Sequence, residues 1–266
     1  MNVLSLFDGM SCGRIALERA GIHVTNYFAS EIDKHAIKVA MHNYPDTQQL
    51  GDVTKWREWN LPKIDLLLGG SQCQDLSGLK TGLGLDGEKS KLLFEFVSLK
   101  NKLQPTWFLL ENVVPRKHEW KTEIDKLMGI QGVQINSDLF VQQNRPRIYW
   151  TNIPIGLLPK RPNWVGKFYQ YRRSYFRKNM NGVCPCLTAN MGTGGHNVPL
   201  WSENLSDRLS PEECEALQSV PLHYTACVSD SQRYKMLGNG WTVDVVAHIF
   251  SGLPVADQGA LFGKVA

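Results

Sequence analysis

Ile64-Asp65-Leu66-Leu67-Leu68-Gly69-Gly70-Ser71-Gln72-Cys73-Gln74-Asp75-Leu76-Ser77 is the stretch on which the fold turns. An apolar run that ends in two glycines reads as a buried strand passing into a loop at a sheet edge. The loop presents one thiol, Cys73, among polar residues, and glycine-rich sequence follows from Gly78 to Gly87. Open α/β sheets place their ligands at the carboxyl ends of parallel strands, so a cysteine here is placed for chemistry. The competing reading is an inert core thiol. The flanking glycines and polar neighbours argue against it.

Upstream, the same pattern occurs twice. Val3 to Leu6 reads as a strand, Phe7-Asp8-Gly9-Met10-Ser11-Cys12-Gly13 as a turn, and Arg14 to Arg19 as a helix stopping at Gly21. Strand, glycine turn and helix can cradle a nucleotide-type cofactor, although a purely structural turn fits equally well. The spacing is not G-x-G-x-x-G, so no pyrophosphate is indicated. A second strand, Val24 to Ala29, ends in Ser30-Glu31-Ile32-Asp33, and a helix follows to about His42. An acid at that position can hold ribose hydroxyls, while Asp33 can also cap the helix. Gly51-Asp52-Val53 puts a third acid in a turn. With no Lys or Arg among these strand ends, they point to an adenosine-containing ligand rather than to phosphates.

Downstream, Ser90 to Leu103 has the apolar spacing of an amphipathic helix, with Phe94 expected in the core. Thr106 to Leu110 reads as a strand ending in Glu111-Asn112-Val113-Val114-Pro115. A carboxylate after five apolar or β-forming residues is costly to bury unpaired and is suited to proton transfer, unless it caps the next helix. Lys121 to Met128 reads as a helix and Val133 to Asn136 as a short strand. Gln143-Asn144-Arg145-Pro146-Arg147 then leads into a further strand, where Arg145 and Arg147 would point opposite ways if extended. Ser210-Pro211-Glu212-Glu213 opens a helix with a capping serine and an N1 proline. Val243 to Phe250 reads as a helix returning to the N-terminal sheet.

The 266 residues are enough for one large α/β domain or for a domain carrying a smaller lobe. No apolar run approaches the roughly 20 residues of a membrane helix. Met1 to Leu6 lacks the features of a signal peptide. Six cysteines, scattered at 12, 73, 184, 186, 214 and 227, do not make a disulfide framework and point to a reducing compartment. Cys184-Pro185-Cys186 lacks a second pair for zinc and reads as structural. The net charge of +4 is unevenly spread: residues 139–202 contain nine Lys or Arg and no Asp or Glu, so removing those nine charges leaves −5 for the rest. Within that window Lys160 to Lys178 interleaves seven basic residues with Trp164, Phe168, Tyr169, Tyr171, Tyr175 and Phe176. Such a mixture suits phosphates and displaced bases, although a solvated basic face on a small β lobe has the same composition. Thr188 to Asn197 reads as a flexible polar loop.

Taken in order from Val3 to Phe250, these stations resemble the cytosine-C5 DNA methyltransferase family. The carrying motifs are Phe7-Asp8-Gly9, Glu31, Gly51-Asp52-Val53, Gly69-Gly70-Ser71-x-Cys73-Gln74, Glu111-Asn112-Val113, Gln143-x-Arg145-x-Arg147 and Gly238-Asn239-Gly240-x-x-Val243. Ala29-Ser30-Glu31, Asp75-Leu76-Ser77, Phe94-Glu95-Phe96 and Val114 look like the animal de novo branch. The resemblance implies an α/β, Rossmann-like fold with a mixed, mostly parallel sheet. It assigns residues 1–153 plus 238–266 to a catalytic, S-adenosylmethionine-binding domain and 154–237 to a small inserted target-recognition domain. It makes Cys73 the nucleophile, Glu111 the group that holds and protonates the base, Arg147 the holder of O2, and Arg145 its support. Phe7 and Ile32 would flank the adenine of S-adenosylmethionine, with Gly9 in the turn, Glu31 on the ribose, and Asp52 beside Val53 on the adenine amine. No metal is implied. The partner would be double-stranded DNA, with no membrane, and the protein a monomer in the cytoplasm of a bacterial or phage-infected cell.

One departure stands out: the family almost always has proline before the cysteine, and here Gln72 restores backbone freedom and an N–H donor. Two alternatives therefore stay open, a tRNA cytosine-5 methyltransferase and a catalytically silent DNA- or cofactor-binding paralogue.

Overall fold

The computed structural model describes residues 1–70, 91–172, 175–179, 181–193, 199–201 and 208–254. Its N-terminal half alternates strands and helices: β1 (Asn2–Leu6), α1 (Cys12–Arg19), β2 (Asn26–Ser30), α2 (Lys34–Asn43), β3 (Gln48–Gln49), β4 (Leu66–Gly70), α3 (Lys91–Leu103), β5 (Trp107–Val113), α4 (His118–Met128), β6 (Val133–Asn136) and β7 (Pro146–Thr151). The strands form a seven-stranded sheet in the order β3-β2-β1-β4-β5-β7-β6. Pairing is parallel from β3 to β5, and β7 runs antiparallel to both β5 and β6.

The apolar runs of β1 and β4 are continuous because both faces of the sheet are covered. Val3, Leu66 and Leu68 pack with Ile15, Ala16 and Leu17 of α1, while Leu4, Leu6 and Leu67 pack with Leu93, Phe96 and Leu99 of α3 and Ile124 of α4. Each fully buried leucine contributes about 1.5–3 kcal/mol relative to exposure. The first face is completed by α7 (Val243–Phe250), whose Val245, Val246 and Ile249 share the cluster with α1. The last described helix thus packs against the element that follows the first strand.

Between β7 and α7, β8 (Phe168–Arg172), β9 (Tyr175–Asn179) and β10 (Pro199–Trp201) form an antiparallel sheet in the order β10-β8-β9. α5 (Pro211–Leu217) begins with the expected cap: Ser210 and Glu213 form a reciprocal capping box, with Pro211 at N1. α6 (Asp230–Asn239), which the polar sequence does not announce, follows it.

Several expectations are corrected. β5 continues through Glu111 and Asn112 to Val113, because β7 extends the ladder through the Glu111–Tyr149 and Val113–Arg147 pairs. Glu111 therefore lies within a strand and does not cap α4, whose N-cap is Lys117. Phe94 is 40% exposed, since the core side of α3 is carried by Leu93, Phe96 and Leu99. Thr188 to Thr193 is no free loop: Ala189–Thr193 is a 3-10 turn, and the backbone at Thr188 lies so close to Gly238 of α6 that a Cβ there would stand 2.2 Å from it. The remaining loop residues, 194–197, lie outside the described residues, as do Gln72, Cys73, the Ser77–Lys89 loop and Arg173. Among the described residues no helix is long and apolar enough to cross a membrane.

Candidate active site

The carboxyl ends of β1, β4 and β5 open onto a cavity of about 320 Å³. At one end the backbone turns sharply after β1: Phe7, Gly9 and Ser11 all have positive φ, 57°, 59° and 66°. Two of these are not glycine, and such conformations persist only where the surroundings hold them. They are held here. Asp8 accepts hydrogen bonds from Tyr27 Oη and Ser11 Oγ, and Gly9 N–H donates to Glu31 Oε2 at 2.8 Å. Burial pushes the Asp8 carboxyl above the usual range despite these donors.

Glu31 stands just past β2, where its Oε1 accepts from the N–H groups of Ile32 and Asp33, each at 2.8 Å. The side chain is thereby fixed in front of the turn. Asp33 caps α2 through His35 N–H and pairs with Lys235 Nζ at 2.6 Å. Its burial would raise the carboxyl, but the Lys235 ammonium and the His35 N–H win and hold it below the usual range. Phe7, Gly9 and Glu31 line the cavity; Ile32, Asp52 and Val53 do not. Ile32 is 73% exposed, and Val53 is buried in the α3 face of the core. Asp52 accepts from Thr54 N–H and Oγ1, both at 2.9 Å, capping the turn Val53–Glu58. Its loop is tied to the end of β2 by Ser30 Oγ donating to the Gly51 carbonyl.

At the other end, Glu111 and Arg147 meet across β5 and β7. Arg147 Nε lies 2.9 Å from Glu111 Oε1, and the Trp241 Nε1–H donates to Glu111 Oε2 at 3.0 Å. The pairing removes the cost of an isolated buried carboxylate. Arg145 is also brought in, but differently from the expectation: it precedes β7, so strand alternation does not apply, and it is buried. Its guanidinium donates to the carbonyls of Leu187, Gly238 and Gly240 at 3.0, 3.0 and 2.8 Å, joining the 3-10 turn to the end of α6. Burial, then the neighbouring Arg147 charge, lower its pKa.

Cys186 and Trp241 enter unforeseen. Arg145 Nη1 lies 3.4 Å and Arg147 Nη2 3.9 Å from Cys186 Sγ. Burial pushes this thiol up, yet the two guanidinium charges outweigh it and leave it below its ordinary value. Nothing local in Cys184-Pro185-Cys186 announces two arginines some forty positions upstream. For Trp241 a signal existed, an aromatic residue directly after Gly238-Asn239-Gly240. Among the described residues no group of three or more His, Cys, Asp or Glu is arranged to hold a metal.

A mostly parallel, doubly covered sheet with this cavity at its carboxyl edge is a Rossmann-like methyltransferase fold. Its solved likenesses agree: a DNA modification methyltransferase encoded within an E. coli prophage superimposes with a TM-score of 0.69 over 95% of this chain and 98% of that one, at 18% identity. The Dnmt2 methyltransferase of S. pombe superimposes with a TM-score of 0.67 over 94% and 97%, at 14% identity. In sequence, the chain is 29% identical to the type II methyltransferase M.Bsp6I of Bacillus sp. (strain RFL6) over 306 aligned positions, covering 94% of this chain and 97% of that protein. It is 33% identical to the orphan methyltransferase M.Rho11sI of Bacillus phage rho11s, over 62% of this chain and 35% of that one. The C-5 cytosine-specific DNA methylase model matches residues 1–163 and 116–254, and the chain belongs to that family. It is a DNA cytosine methyltransferase.

Proposed function

We propose that the protein transfers a methyl group from S-adenosylmethionine to C5 of a cytosine swung out of duplex DNA, through a covalent adduct with Cys73. The observation that carries this reading is the Glu111–Arg147 pair, held at one end of a cavity whose other end is the Phe7–Glu31 turn.

The turn fits the donor. Gly9 has open space beside it, the carboxylate of Glu31 keeps about one acceptor site, on Oε2, for a ribose hydroxyl, and no Lys or Arg stands in the turn to demand phosphate. When bound there, S-adenosylmethionine supplies an electrophilic methyl group. Phe7, Gly9 and Glu31 would hold it, with Ile32, Asp52 and Val53 contributing from the loops at the ends of β2 and β3.

Cytosine C5 is a poor nucleophile in an electron-poor ring. Attack of the Cys73 thiolate on C6 forms an S–C6 bond and shifts electron density to C5. The developing ring charge needs a proton at N3 and a hydrogen bond at O2. Glu111 would hold N3 and the amine, and Arg147 would hold O2; their pairing at 2.9 Å supports this reading. Arg145 keeps Arg147 in register by fixing the backbone around it. After methyl transfer, the C5 proton passes to water, the C6–S bond breaks to return the Cys73 thiolate, and the N3 proton goes back to Glu111, which restores the aromatic ring. A target base must leave the stack to reach such a site.

Residues 154–237, bearing β8 to β10 and most of the basic window, form the target-recognition lobe inserted into a catalytic unit of 1–153 and 238–266. The protein acts as a monomer in the cytoplasm of a bacterial or phage-infected cell, in restriction–modification, phage protection or epigenetic marking.

Expression in a methylation-free host followed by bisulfite sequencing is expected to show one short methylated motif, absent with Cys73→Ser. DNA carrying 5-fluorocytosine is expected to trap a covalent adduct with the parent only. Methylation by Cys73→Ser at the parental level would overturn the reading. Cofactor binding with neither methylation nor adduct would mark Gln72 as the sign of a silent paralogue.

A further inference from the structure

We propose that Trp241 is the positioning residue for the Glu111 carboxylate, an inference that rests on the role of Glu111 given above. The two carboxylate oxygens are claimed from different sides: Oε1 by Arg147 Nε at 2.9 Å and Oε2 by Trp241 Nε1 at 3.0 Å. A glutamate's terminal torsion is otherwise soft and nearly two-fold, so a single partner leaves the plane of the group free to swing. Two donors on opposite oxygens fix that plane. A carboxylate has about four acceptor sites, so the remaining lone pairs stay available to a pyrimidine in the cavity that Glu111 lines.

The indole is itself immobilised. A Cβ placed on Gly70 would come within 2.6 Å of Trp241 Nε1, and one on Gly13 within 3.4 Å of a carbon of its ring. The ring therefore lies on bare backbone at the end of β4 and the start of α1. The residues on either side of Trp241 are held, Gly240 by Arg145 Nη2 donating to its carbonyl at 2.8 Å and Thr242 by its Oγ1 donating to Gln218 Oε1 at 2.8 Å. Indole nitrogen only donates, so Trp241 can orient the carboxylate without competing for its proton. Gly70, the last residue of β4 before the Cys73 loop, thus does more than end a strand: it leaves room for the ring that sets the acid.

The test is Trp241→Phe, which keeps the ring over Gly70 and removes the N–H. Turnover under saturating DNA and S-adenosylmethionine is expected to fall by about ten-fold, the worth of one charge-assisted hydrogen bond, with both KM values and the calorimetric affinity for S-adenosylmethionine within about two-fold of the parent. A merely packing tryptophan would not give that split. Should the phenylalanine variant fail to fold, 3-benzothienylalanine at position 241, which replaces only the N–H by sulfur, is expected to give the same loss. Parental turnover in either folded variant overturns the inference, as does a loss confined to cofactor affinity. Glu111→Gln serves as the control. If it turns over like the parent, the role of Glu111 falls and the inference with it; if it is disabled while Trp241→Phe is unaffected, the inference alone falls.

Discussion

The two ends of the cavity are assembled by different means. Around Phe7 to Glu31, neighbours in sequence make the site: a tight turn, three backbone N–H groups and one carboxylate, all within two strands. Around Glu111, the parts arrive from β5, from β7 and from Trp241, which lies 130 residues beyond Glu111. The first kind of site depends on chain geometry and the second on the fold being complete. Substitutions should therefore separate binding from turnover along the cavity.

The sharpest separation is expected from Glu111→Gln. It should lower turnover by about 10²–10⁴-fold, the usual range for a general acid, while leaving the calorimetric affinity for S-adenosylmethionine within about two-fold. An equal loss of cofactor affinity would erase the distinction between the ends. Glu31→Ala is expected to do the converse, weakening cofactor binding by roughly 10–100-fold. It should also destabilise the protein by about 1–3 kcal/mol, because backbone N–H groups lose their acceptor. Unchanged cofactor affinity would break the assignment of that end.

Arg145→Lys tests how far the Glu111 end depends on completed folding. A lysine keeps the charge but cannot span the carbonyls of Leu187, Gly238 and Gly240. Denaturant unfolding should show a loss of about 1–3 kcal/mol, the cost of an unsatisfied buried carbonyl, with turnover falling alongside. The smallest effect is expected at Lys235→Met. Asp33 is held below its usual range in the folded state, so its pairing stabilises at neutral pH. That contribution is lost as pH falls through the acid range, below the unfolded value of about 3.9. The variant should lose under about 1 kcal/mol at pH 7 and show a shallower decline in Tm between pH 5 and 3. A steeper decline would mean that Asp33 is set by something other than Lys235.

The same contrast explains what could be read from the residues alone. β1, β2, β4 and β6, the α2 cap at Asp33, the Ser210–Glu213 cap and α7 all rest on local patterns, and each stands within a residue or two of its expected place. Glu31 is equally legible, as an acid at a strand end. The extension of β5 through Glu111 is not, because it depends on a partner strand 36 residues away in the Glu111–Arg147 region. Cys186 reads as structural because its chemistry comes from Arg145 and Arg147, which no local window of sequence contains. Asp52 is the opposite case, a conspicuous acid in a turn whose hydrogen bonds from Thr54 are as local as the sequence around it.

The reversed direction of β7 carries a topological obligation. Running against β5, it starts with Pro146 and Arg147 at the ligand edge and delivers the chain, after Thr151, to the far edge of the sheet. A six-residue strand covers about 20 Å, so the following segment starts about that far from the cavity edge. Its contacts trace the route: Gly252 packs on the Pro154 carbonyl, His248 lies beside the Gly156 carbonyl, and Trp164 Nε1 donates to the Asp138 carbonyl just ahead of β7. Residues 152–167 thus run from the far edge of the sheet to β8, held on the way by α7 and by the turn ahead of β7.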